Sequence, residues 1–308
     1  MRHILNALLG CILVSAAPSI TKGGEQAVEQ SAISWVEARG GSAYPVDGEG
    51  GVAAGSQRGL EVDFRSRPVG DADLDGLASL DSILDINLSE TRITDAGLKH
   101  VAQIMSLQGL SLDKDNISDR GLAELSRLAN LRILSLYGTK VTSAGIRNLG
   151  ELPKLSSIDL DGTMVDGESI RYLAEGAPML EELSLAHTAV GDTGFDAITK
   201  LGRLRRLSLI GTRITNAALQ HLSRLQSLQT LQLDGTGVTA EGMASLAGMS
   251  GLKELSVDDT SIGDEAMPYL LRMQGLRVLS LVGSRISAAT VARLRSALPD
   301  CEIRTGAP

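Results

Sequence analysis

The sequence predicts an α/β solenoid, a horseshoe with a parallel β-sheet on the concave face and helices on the convex face. Three features carry that expectation: apolar residues recur at a fixed interval, their spacing changes inside each interval, and aromatic residues are scarce. Leu107, Leu131, Leu155, Leu180, Leu204, Leu228, Leu252 and Leu276 stand 24 residues apart, with one step of 25 after Leu155. Counting backwards reaches Ile83 and then Gly59, so ten units fill residues 59–299. Self-similarity at such a period is the mark of stacked units, none of which can bury its own apolar face alone. With only 2% aromatic residues, leucine has to fill the interior. That favours a repetitive, evenly spaced core.

Each unit reads LxxLxLxxTxITxxxLxxLxxL, most clearly from Leu204 to Leu225. The LxLxx segment alternates at period two, which makes it a short strand with one face inward. Leu219, Leu222 and Leu225 then fall three apart, which is helical spacing. The residue aligned with Thr215 marks the helix start. Across the units it is Gly70, Thr94, Ser118, Thr142, Asp166, Gly191, Thr215, Thr239, Gly263 and Ser287. All are favoured N-cap types, which satisfy or leave room for the orphan amides of a first turn.

The flanks read differently. Met1-Arg2-His3 followed by the apolar run Ile4–Val14 has the form of an export signal, with small residues Val14-Ser15-Ala16 placing cleavage after Ala16. Residues 1–16 are therefore expected to be a signal peptide and the protein to be exported, periplasmic or extracellular. An alternative takes Leu8-Leu9-Gly10-Cys11 as a lipoprotein box, with a lipid anchor at Cys11. No other segment reaches the ~18 apolar residues of a membrane span. Residues 17–58 are expected to form an N-terminal cap: a helix over Gln26–Arg39, an edge strand over Ser42–Val46, and a Gly-rich loop over Gly48–Gly59. Solenoid ends need such caps to cover exposed apolar faces. At the far end, Ala288–Leu298 reads as the last helix, and residues 300–308 as a cap strand and tail.

The units resemble leucine-rich repeats, with the LxxLxL strand signature in nine of ten. Ile93-Thr94-Asp95-Ala96-Gly97-Leu98 and Ile117-Ser118-Asp119-Arg120-Gly121-Leu122 are similar to the ITDxGL tail of F-box substrate receptors and many bacterial exported proteins. The usual Cys or Asn after the strand is replaced by Thr91, Thr139, Thr163, Thr188, Thr212, Thr236 or Thr260, with Asp115 and Ser284 as variants. An F-box is missing. The resemblance implies a protein that binds another protein or peptide, since the fold alone fixes no chemistry. The threonine ladder is expected to be structural, with each hydroxyl bonding backbone amides of the adjoining repeat.

Catalytic and cofactor signatures are weak. Asp71-Ala72-Asp73-Leu74-Asp75-Gly76 opens like a calcium loop, but its twelfth position is Ser82 rather than a bidentate carboxylate. Its Leu74, Leu77 and Leu80 also fall on core positions, so a helix is expected there. His100 and His221 fall on repeat helices of the convex side and His187 at a strand end of the concave side, so the three are not expected to converge on one metal. HExxH, GxSxG and nucleotide glycine loops are absent from the sequence. No enzyme activity and no cofactor are expected. The two cysteines make no disulfide framework. A net charge of −8 argues against a nucleic-acid partner.

Function is expected on the concave face, at positions three, five and seven of each unit. These thirty positions hold ten acids: Glu61, Asp63, Asp85, Asp113, Asp159, Asp161, Glu182, Asp234, Glu254 and Asp258. Only Arg65 and Arg206 oppose them, so this face alone matches the whole chain's charge surplus. Lys99, Arg120, Arg147, Arg171 and Arg293 fall on the helical side. Such polarity would steer a basic protein or peptide into the groove. Tyr137 and Ile210, with Ile133, Val278 and Val282, add anchors of the kind that dominate protein interfaces. The alternative is a structural or adhesive envelope component without a dedicated ligand.

Overall fold

The computed structural model describes residues 23–47, 58–80 and 83–306. The expected leader and residues 48–57 of the Gly-rich segment lie outside them. The described chain begins with a helix over Gly23–Glu37 (α1), then β1 (Ser42–Asp47) and β2 (Arg58–Asp63). Ala32 and Val36 of α1 are buried, and Ile33 and Trp35 pack against the same core. The Arg39 guanidinium lies 3.7 Å over the Trp35 ring and donates to the Asp73 carbonyl at 3.0 Å. Gly41 follows because the space is taken: a Cβ there would sit 2.5 Å from the Phe64 ring.

β1 pairs antiparallel with β2 as an edge strand. From β2 onward each strand pairs in parallel with the next, and the sheet keeps sequence order throughout. The following strands are β3 (Ile83–Asn87), β4 (Gly109–Ser111), β5 (Ile133–Ser135), β6 (Ser157–Asp159) and β7 (Glu182–Ser184). The series closes with β8 (Arg206–Ser208), β9 (Thr230–Gln232), β10 (Glu254–Ser256), β11 (Val278–Ser280) and β12 (Glu302–Arg304). From Glu61 onward, past a register shift between Leu60 and Glu61 in the β2–β3 pair, equivalent residues form columns, as in Leu183↔Leu207 and Leu207↔Leu231. The leucines at positions one, four and six are buried as expected; Leu207, Leu209 and Leu204 are all fully enclosed. These columns, together with helix-side residues such as Ile214, Leu219 and Leu222, form one continuous core, and it carries the α/β horseshoe predicted from spacing.

Several helices begin where the cap residues predict. Asp119–Leu125, Ser143–Leu149 and Asn216–Leu222 follow Ser118, Thr142 and Thr215, whose hydroxyls accept from first-turn amides. In the second and fifth units the helix starts later, at Leu98 after Gly97 and at Glu168 after Gly167, rather than directly after Thr94 and Asp166. Three units depart from α-helix. The first has 3-10 turns over Asp71–Leu74 and Leu77–Ser79, broken by Gly76 at φ 84°. The sixth keeps only a 3-10 turn over Ile198–Lys200 after Gly194 at φ 85°. The ninth starts with 3-10 before Met267–Leu270. In the first and sixth units a glycine in the left-handed region removes the run of right-handed residues that an α-turn needs.

The aspartate and glycine of the ITDxGL tail prove to be partners across units. Asp119 accepts the Thr142 amide at 2.8 Å and its hydroxyl at 2.7 Å, and so clamps the next helix start. Asp71 holds Thr94, Asp95 holds Ser118 and Asp192 holds Thr215 in the same way. The carboxylate comes so close to the next unit that a Cβ on Gly97 or Gly121 would lie 2.5 Å from it. Ser143 and Ala240, at position thirteen, are followed by Ser169 and Ala266 in place of the later glycine, whereas Gly167 with Gly194 and Asn216 with Gly242 keep the glycine without an acid. Asp192 with Ala218 and Asp264 with Thr290 do not follow this pairing.

The threonine ladder departs from expectation. Thr139, Thr163, Thr188, Thr212, Thr236 and Thr260 do not reach the adjoining repeat. Each hydroxyl donates to the carbonyl three residues back in its own turn, at 2.5 to 2.8 Å. The turn itself supplies the reason. Position eight has positive φ in every unit, as Gly at five and as Ser66, Glu90, Lys114, His187 and Asp259 at the others. That reversal brings the position-nine hydroxyl back over the position-six carbonyl. A buried carbonyl facing no strand needs such a donor.

Candidate concave interaction face

Because Leu183, Leu207 and their equivalents point into the core, their strand neighbours must point to the concave side. Uniform register turns positions three, five and seven into three columns running along the horseshoe.

The position-five column is less open than alternation alone implies. Ser135 and Ser208 are 1% exposed, and Ser111, Ser184 and Ser280 are also buried. For Ser135, Ser184 and Ser280 the cover comes from position seven of the preceding unit. Asp113 accepts the Ser135 hydroxyl and the Tyr137 amide, the latter at 3.2 Å. Asp161 accepts the Ser184 hydroxyl and, at 2.7 Å, the Ala186 amide. Asp258 accepts Ser280 Oγ at 2.9 Å and the Val282 amide at 2.7 Å. Asp234 accepts the Asp258 amide at 2.9 Å and bonds Ser256. Each position-seven aspartate is thus followed, one strand on, by a position-five serine. Spacing of 22 or 23 residues between the two was a visible signal that sequence reading did not use.

These contacts make several of the expected partner-binding acids structural as well. Asp159 accepts the Asp161 amide at 2.8 Å, and burial pushes its carboxyl up to about 7, with the Asp161 and Asp113 charges adding to the shift. Burial also raises Asp161 and Asp234. Glu61 is raised by burial and by the neighbouring Asp85 and Asp63 carboxylates, against the pull of Arg65. Asp85 leans over Gly109 on the next strand, where a side chain would collide with it. Glu182 is held by the Arg206 guanidinium, whose Nε lies 2.9 Å away. Glu254 is exposed, while Tyr137 and Ile210 are half-buried three units apart and form no single patch.

The charge reversal Asp161→Lys should therefore not be neutral. It removes the acceptor of one buried hydroxyl and one amide, and a loss of roughly 1–2 kcal/mol is expected in urea titration. An unchanged midpoint would show that the Asp161 contacts add nothing.

No group of three or more His, Cys, Asp or Glu among the described residues is placed to hold a metal ion. Asp71, first residue of the calcium-like run, is committed to Thr94. Cys301 is buried in the last strand's approach, and burial raises its thiol.

A family profile described as a leucine rich repeat matches residues 176–198 and 224–247. Internalin C2 of Listeria monocytogenes is similar at 25% identity, with 71% of this chain and 84% of that one covered and a TM-score of 0.54. A second Listeria monocytogenes internalin, inlF, shares the fold at 19% identity, covering 81% and 86% of the two chains with a TM-score of 0.53. No curated protein sequence matches the chain.

Proposed function

We propose that this chain, a leucine-rich repeat protein, is exported and acts as a protein–protein interaction module. Its acidic concave surface would receive a basic segment of another protein. The observation that carries the reading is the charge of that face. Its two cations at positions three and seven of the repeats are already engaged, Arg65 with Asp63 and Arg206 with Glu182. Burial makes the charged forms of Glu61, Asp159, Asp161 and Asp234 costly. A cationic partner would relieve that cost, which an uncharged coat or spacer would not need. Tyr137 and Ile210 supply half-buried apolar contacts beside the acids.

Export rests on the basic start, apolar run and small residues of positions 1–16, which lie outside the described residues. No helix among the described residues is long and apolar enough to cross a membrane. The reading is of a binding module rather than an enzyme, and it calls for no cofactor.

Immobilised protein is expected to retain a basic protein from an envelope fraction and to release it as salt rises. Retention should weaken with Tyr137→Ala. A partner held equally by wild type and variant, at any salt, would contradict a concave electrostatic site. The same reading makes α1 a cap. Deleting residues 26–41 should expose Phe64 and the first unit, so that the shortened protein aggregates. A monomeric deletion variant of unchanged stability would show that the helix is dispensable.

A further inference from the structure

We infer that Asp115 is held as a neutral carboxylic acid whose Oδ2 hydroxyl donates to the Leu112 carbonyl, forming a protonation-dependent lock within the turn of the third repeat. The pattern of the other units carries the argument. In seven units, a Thr or Ser hydroxyl at position nine donates to the carbonyl three residues back; Thr139 to Leu136 and Ser284 to Leu281 are examples. Asp115 occupies that position in the third unit, is 3% exposed, and its own amide points to Leu112 at 3.2 Å. A carboxylate cannot donate, so an ionised Asp115 would leave that carbonyl facing a buried negative charge.

The two carboxyl oxygens are used unequally. Oδ1 accepts the Thr91 amide at 2.8 Å and its hydroxyl at 3.1 Å, tying the second repeat to the third. Oδ2 is buried with no hydrogen-bond partner among the described residues. An orphan oxygen at the position where seven other units have a donor is what an unseen proton would explain.

The surrounding charges favour that proton. From the second unit Glu90 faces Asp115, and Asp113 does so from its own strand exit. The lysines that flank this turn are engaged elsewhere, Lys114 with Glu90 and Lys140 of the fourth unit with Asn116 at 2.8 Å. Burial pushes the Asp115 carboxyl up to about 7, the Thr91 bonds pull it down, and Asp113 and Glu90 push it up. A folded-state value above the unfolded one means the acid's contribution is full below the ordinary aspartate range. It is then lost as pH rises through about 7. The lock would loosen in mildly alkaline surroundings.

The test is the carbon-13 titration of the Asp115 carboxyl in the full chain, together with urea midpoints of wild type and Asp115→Asn at pH about 6 and about 8.5. Asparagine can accept from Thr91 and donate to Leu112 at either pH. The expected result is a titration midpoint near neutrality. The Asn variant should have a smaller fall in urea midpoint between the two pH values and a higher midpoint than wild type at the alkaline one. A carboxyl that titrates in the ordinary aspartate range would overturn the inference, as would a variant with the wild-type pH slope. Should the variant not fold, the wild-type titration decides alone.

Discussion

Leu207→Ala is expected to lower stability by roughly 2–5 kcal/mol, the cost of a truncated leucine whose site cannot fully collapse. Leu207 is fully buried at the centre of β8 and stacks between Leu183 and Leu231 in the parallel register. Neighbouring units share the resulting cavity, so the loss should spread to both interfaces rather than stay in one repeat. Urea unfolding reads it as a lower midpoint. A mutant as stable as wild type would refute the register on which the whole horseshoe rests.

The second large effect concerns the clamp between units. Gly145→Ser should cost about 1–3 kcal/mol, because the new Cβ would be forced onto the Asp119 carboxylate and, at 3.1 Å, its Cα. A small residue at the clamp position should make room. The double variant Asp119→Ser with Gly145→Ser copies the pair already present as Ser143 and Ser169, where Ser143 Oγ accepts the Asp166 amide at 3.0 Å. It is therefore expected to be more stable than the sum of the single changes predicts. Strict additivity in the double-mutant cycle would mean that the two residues do not meet.

Spacing made the leucine columns legible, because each buried position repeats with little variation and a strand reverses faces at every residue. Cap residues were legible too, since Ser118, Thr142 and Thr215 do their work within two residues of themselves. Interactions between units were harder. Asp119 acts on Thr142 and excludes a side chain at Gly145, and no local pattern around Asp119 announces either partner. The threonine ladder was misread because it depends on backbone hand at position eight. Gly138 and Gly162 hint at positive φ there, whereas Glu90 and Lys114 adopt it without any such cue. On the concave face alternation gave the right side but the wrong openness. Short strands let each position-seven aspartate fold over the next serine, so part of the acidic surface is committed to holding the sheet together.

That division decides which residues can test the binding face. Glu61, Glu182 and Glu254 lie at position three, outside the Asp–Ser ladder, and their reversal to Lys changes the groove's charge while sparing those contacts. Lys99, Arg120 and Arg147 are exposed on the helical side and provide the opposite control when turned to Glu. The most direct measurement is the association rate of a recovered partner with wild type and both triple variants, at low and high ionic strength. The account predicts slower association for the concave variant, a wild-type rate that falls as salt rises, and little change for the helical-side variant. Unchanged association for the concave variant, with loss in the helical-side variant, would contradict it and leave the acidic groove without a role in recognition.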